Sequence, residues 1–180
     1  MQPGAKKLEF EFNNSSDTLI SSLQYMLGHI NENIPANADV EDVLFRGKVI
    51  ITELLTNAIK HAGKGSTLFN IETDGRYLII QKTDNGSPLY LVNTHTHSSI
   101  DEAENKKLIS ADPLNLLFAA WESENHIIFS CEESSIDAFL SVEQVMEHFG
   151  ILIITRSSDE FTYTYNKESQ SNIFKVKINF

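Results

Sequence analysis

The sequence predicts an α+β fold, a two-layer sandwich with one mixed or antiparallel sheet of about five or six strands and about three helices on one face. Three observations predict it. The first is a long helical pattern over roughly residues 40–62. Val40, Val43 or Leu44, Ile50 or Ile51, Leu54, Ala58 and Ala62 recur near a 3.6-residue repeat, so one face should lie on a sheet. The second is a pair of strand patterns, residues 67–73 and 76–82, separated by Asp74-Gly75, a favoured two-residue hairpin turn. The third is a β-rich C-terminal part, where Phe174, Val176, Ile178 and Phe180 alternate with Lys175, Lys177 and Asn179.

Taken in order, Leu8-Glu9-Phe10-Glu11-Phe12 alternates apolar and acidic residues, as a half-exposed strand does. The polar residues 13–17 form a turn and can supply a helix cap. A helix follows through Leu19, Leu23, Met26, Leu27 and Ile30 and ends near Asn33, before Pro35. His29 reads as a surface or packing histidine. Residues 37–39 can cap the central helix, and Gly63-Lys64-Gly65-Ser66 ends it.

Residues 89–138 are read as an insert. His95-Thr96-His97 could put two imidazoles on one strand face, but without a third ligand a polar loop is the better reading. Residues 101–107 look like a short charged helix. Asp112-Pro113 opens another, with Leu116, Leu117, Ala120 and Trp121 on it. Trp121 is read first as a packing residue and second as a partner anchor. Residues 126–130 form a short strand, 138–149 a helix, and 151–155, 160–165 and 173–180 three further strands.

The chain of 180 residues suits one domain with a real core. Its net charge of −11 argues against sequence-independent nucleic-acid binding and against an anionic membrane surface. One cysteine, Cys131, excludes an internal disulfide framework and a multi-cysteine zinc site. There is no apolar run of spanning length and no signal-peptide pattern at the start, so a cytoplasmic protein is expected.

Two motifs carry chemistry. On the central helix, Glu53 and Asn57 stack one turn apart, with Lys60 and His61 a turn further on. An acid, an amide and cationic groups in register suit a metal–phosphate site, where Asn57 can ligate Mg²⁺ and Glu53 can orient or deprotonate a nucleophile. On its own the stripe reads first as a solvated helix flank. Downstream, Asp84-Asn85-Gly86-Ser87-Pro88 follows a strong strand. A carboxylate at a strand end, then a glycine that admits close approach, can read a base edge. On its own it is an ordinary turn. Both motifs in this order, joined by a hairpin, form a much rarer combination.

Glu53-Leu54-Leu55-Thr56-Asn57-Ala58-Ile59-Lys60-His61-Ala62 resembles the N-box of the GHKL (histidine-kinase-like) ATPases, and residues 84–88 resemble their first glycine box. The form of the first motif is most similar to the stand-alone anti-sigma-factor serine/threonine kinases. The resemblance implies a single Bergerat-type domain over residues 1–180, with the insert as a lid. It implies ATP and Mg²⁺ as ligands. Asn57 would hold the metal, Glu53 would act as or position a base, and Lys60 or His61 would approach phosphate. Asp84 would accept from the adenine amino group, with Gly86 allowing close passage. It further implies a protein partner, a sigma factor or an anti-anti-sigma-like substrate, and leaves a homodimer open. The chain departs from the family at the second glycine box, expected before the helix at 138–149. No glycine lies between Gly86 and Gly150, and Glu132, Glu133 and Asp137 stand near that helix start. A non-catalytic regulatory module on the same fold therefore stays open beside the kinase.

Overall fold

The computed structural model describes residues 5–63, 65–91, 106–111, 114–133 and 148–180. Eight strands form one antiparallel sheet, β1 Lys6–Phe12, β2 Thr67–Thr73, β3 Tyr77–Asp84, β4 Lys106–Ala111, β5 Asn115–Ser123, β6 His126–Glu133, β7 Glu160–Asn166 and β8 Ser171–Asn179. Their order across the sheet is β1-β2-β3-β8-β7-β6-β5-β4, and every neighbouring pair is antiparallel. Three α-helices are present among the described residues, α1 Leu19–Asn33, α2 Val40–His61 and α3 Phe149–Arg156. The architecture is the two-layer α+β sandwich that the hydrophobic patterning implies.

The central helix forms where its pattern places it. Asp39 caps α2, its side chain accepting from the Asp42 amide at 3.1 Å, which satisfies one orphan donor. Glu41 and Asp42 lie in its first turn and Lys60 and His61 in its last, the arrangement that complements the helix dipole. Val43, Gly47, Ile50, Ile51, Leu54, Leu55 and Ala58 are buried. They press α2 onto β3, with α1 packed alongside through Leu23, Met26 and Ile30. Burying one such Ile or Leu contributes about 1.5–3 kcal/mol, so α2 is held by its face rather than by propensity.

Arg46 ties α2 to the far end of α3. Its guanidinium donates to the Ser157 carbonyl at 2.9 Å and to Asp159 at 2.6 Å, and Asp159 also accepts from the Asn179 amide. The β2–β3 turn is wider than two residues. Residues 74–76 lie between the strands, and Asp74 accepts from the Arg76 and Tyr77 amides.

Three expected elements are different. The helix expected at 112–121 is strand β5. The same run that offers Leu116, Leu117, Ala120 and Trp121 at helical spacing also alternates at period two. Asn115, Leu117 and Ala119 are buried, while Leu116, Phe118 and Ala120 are less so. Pairing on both sides, with β4 and β6, decides for the strand, and residues 124–125 close the β5–β6 hairpin. Trp121 packs against the core from this strand. Lys106 and Lys107, expected in a short helix, open β4 instead. The sheet thus has eight strands in place of the expected five or six, β4 and β5 among the additions.

The third difference is α3. Residues 151–155, Ile-Leu-Ile-Ile-Thr, look like a strand by composition, and short apolar runs do not distinguish strand from helix. Here β6 pairs directly with β7, so no sheet position remains for the segment. It crosses on the helical face, burying Ile151, Leu152, Ile154 and Thr155 against α2 and β6. The His95-Thr96-His97 reading, the helix expected over 101–105, the Asp112-Pro113 cap and the helix expected over 138–147 lie outside the described residues.

Candidate functional site

A cleft of about 490 Å³ opens where α2, the end of β3, the start of β8 and α3 converge. α2 contributes Asn57, Lys60 and His61. β3 contributes Lys82 and Asp84, the loop after it Ser87 to Tyr90, and β8 Asn172 and Phe174. The entry to α3 contributes His148, Gly150 and Ile151. Four residues singled out from sequence, Asn57, Lys60, His61 and Asp84, therefore face one cavity of a size suited to a small-molecule ligand.

Glu53 stands beside this cleft rather than in its lining. Its carboxylate faces the first turn of α3, where a Cβ on Gly150 would come within 3.0 Å of Glu53 Oε2 and 3.9 Å of Asn57 Oδ1. Gly150 is what lets the two helices approach so closely. It also brings the first turn of α3, the positive end of its dipole, close to Asn57.

Gly86 has a different task from the one its motif suggests. A Cβ there would lie 2.3 Å from the His61 carbonyl oxygen and 3.0 Å from Ala62 Cα. Its bareness lets the loop after β3 pass against the end of α2, and Gly86 itself is not among the lining residues.

Two of the three acidic residues expected near the cleft lie elsewhere. Glu132 and Glu133 border a second cleft, with Arg156 and Asp159 on its rim. Asp137 lies outside the described residues. Among the described residues the first cleft carries Lys60, Lys82, His61 and His148 against one carboxylate, Asp84, a balance that suits an anionic ligand.

Asp84 is held by a network that the sequence does not announce. Its Oδ2 takes the Lys82 ammonium at 2.7 Å, with both side chains almost wholly buried. Its Oδ1 accepts from the Gly86 amide at 2.9 Å and from Asn172 Nδ2 at 3.0 Å. Asn172 Nδ2 also reaches the Gly86 and Ser87 carbonyls. The Tyr163 hydroxyl donates to Asn172 Oδ1 at 2.8 Å and accepts from the Leu89 amide at 2.9 Å. This chain of bonds pins the loop after β3 to the sheet. Burial pushes the Asp84 carboxyl up, but the Lys82 charge and the hydrogen bonds from Lys82, Asn172 and Gly86 outweigh it and hold the group below the usual carboxylate value. Burial pulls the Lys82 ammonium down, and Asp84 offsets part of that. Burial raises the Tyr163 hydroxyl, which keeps it a neutral donor.

No protein-family model and no curated protein matches this chain. What can be argued about its chemistry comes from these side chains.

Sequence reasoning missed Lys82, His148, Gly150, Tyr163 and Asn172. Only Lys82 left a readable signal. On β3, Leu78, Ile80, Lys82 and Asp84 share the buried register, and a lysine there demands a partner. Asn172 is opposite Asp84 only through the β3–β8 pairing.

The donor set also bears on metals. Glu53 and Asn57 offer hard oxygens toward one region beside Gly150, which suits Mg²⁺. Among the described residues no three His, Cys, Asp or Glu side chains gather as a self-sufficient metal site. A cation held by Asn57 would need ligand oxygens and water to complete its shell. No helix among the described residues is long and apolar enough to cross a membrane.

Proposed function

We propose that the protein is an ATP-binding regulatory domain of the GHKL type, a serine/threonine kinase of the anti-sigma-factor kind that acts on a protein partner in the cytoplasm. The observation that carries this reading is the meeting of Asn57, Lys60, His61 and Asp84 in one cleft with the N-terminal end of α3. The base goes to Asp84, at the sheet end. The phosphates go to the helical end, where Lys60, His61 and the α3 amides supply positive potential. Asn57 would hold Mg²⁺, which would supply charge neutralisation at the phosphates. Glu53 holds the acceptor hydroxyl of the partner in line and draws off its proton. The ionic and polar side chains do the positioning, and transfer needs little else from the protein.

A second reading is favoured by one observation. Asp84 already has Lys82 as a partner, which fits a non-catalytic module that keeps the fold and binds another protein. Thermal melts with ATP, with and without Mg²⁺, separate the two. The kinase reading predicts a rise of roughly 5 °C or more at about a hundredfold excess over Kd. Glu53→Gln should keep that rise and reduce ADP release by about a hundredfold or more. A melting temperature indifferent to ATP at millimolar concentration would leave the partner-binding module.

A further inference from the structure

Lys82 is unused by the reading above, and it sits where a base would rest. The carboxylate of Asp84 has about four lone-pair sites and the ammonium of Lys82 three protons. Both Oδ1 sites are taken, by the Gly86 amide and by Asn172. One Oδ2 site is taken by Lys82. On the lysine, one proton goes to Asp84, and the ammonium lies 4.5 Å from the centre of the Phe174 ring, which occupies a second direction. One acceptor site and one donor proton remain unassigned, and Lys82, Asp84 and Phe174 all line the cleft.

We propose that Lys82 is a specificity-determining residue that reads a purine base jointly with Asp84, donating to the ring nitrogen beside an amino group while Asp84 Oδ2 accepts from that amino group. The inference rests on the nucleotide reading of the cleft. Adenine matches this pair on either edge, because N6–H is flanked by N1 on one side and N7 on the other. Guanine offers the same pair only on its N2–H/N3 edge, which lies beside the ribose. Its N1–H and N2–H ask for two adjacent acceptors, and Oδ1 has none left. A buried donor without an acceptor weakens binding. Lys82 therefore reinforces a preference for adenine instead of merely occupying Asp84.

The test compares ATP, 1-deaza-ATP, 7-deaza-ATP and GTP by equilibrium titration on the wild type and on Lys82→Met. The wild type should lose about tenfold or more with one of the two deaza analogues and with GTP. Lys82→Met should bind ATP more weakly and treat ATP and both deaza analogues alike, a pattern that a packing role would not produce. Wild type that binds both analogues as tightly as ATP would overturn the inference, and this arm needs no variant to fold. So would Lys82→Met binding ATP more tightly than wild type, since Lys82 would then be an obstruction. Wild type that binds none of the four would overturn the nucleotide reading itself.

Discussion

Asp84→Ala is expected to destabilise the protein by about 3–5 kcal/mol, measured by urea denaturation. The substitution leaves the Lys82 ammonium buried without its carboxylate, 2.7 Å away in the wild type. It also strips Asn172 and the Gly86 amide of an acceptor. Set against the roughly 5–15 kcal/mol that holds a typical domain together, that is a large fraction. The pair is weak evidence of net stabilisation, because removing both charges together avoids the uncompensated one. Lys82→Met combined with Asp84→Ala should therefore recover most of the loss. A double variant as unstable as the single one would show that hydrogen bonds, not the lysine, account for the cost. The same pair sets an acid limit. Asp84 titrates below its unfolded value of 3.8. Its contribution is complete above that value and is lost as pH falls through the lower folded value.

Gly86→Ala is expected to be the most damaging glycine-to-alanine substitution among the described residues. The added methyl would lie 2.3 Å from a backbone oxygen of His61. No side-chain rotation can relieve a clash with backbone. Either the loop lifts from α2 or the helix end moves, at a cost of about 1–3 kcal/mol or more. Both movements displace Asp84 or His61 from the cleft, so ATP binding should fall with stability. Gly28→Ala is the control, since nothing lies within 4 Å of its added Cβ. Equal melting temperatures for the Gly86 and Gly28 variants would contradict the account.

The layered fold was legible because its main signals are periodic. α2 shows helical spacing in seven buried residues, and β3 and β8 show alternation. The stretch from 106 to 123 was not legible. Its Leu, Ala and Trp residues satisfy both periods, and only pairing with β4 and β6 resolves them. Residues 151–155 failed for the opposite reason, since β-branched composition points to strand while the crossover requires a helix. At the site, Asn57, Lys60 and His61 were legible because one helix carries them in register. Asp84 was legible as a strand-end carboxylate, but its partner Asn172 comes from β8, and Tyr163 behind Asn172 from β7, through long-range pairing. Gly86 was legible as a close-approach glycine, though the neighbour it admits is α2.

The central claim is that the cleft binds ATP with Mg²⁺ through Asn57. Calorimetric titration of ATP into wild type and Asn57→Ala, each with Mg²⁺ and with a chelator, tests it most directly. Asn57 is half-buried on α2, so its loss should leave the fold intact. The account predicts saturable heat in wild type that needs Mg²⁺, and little or none in Asn57→Ala. Wild type that gives no heat at millimolar ATP, or an Asn57→Ala isotherm that matches wild type in Mg²⁺ dependence, would contradict it.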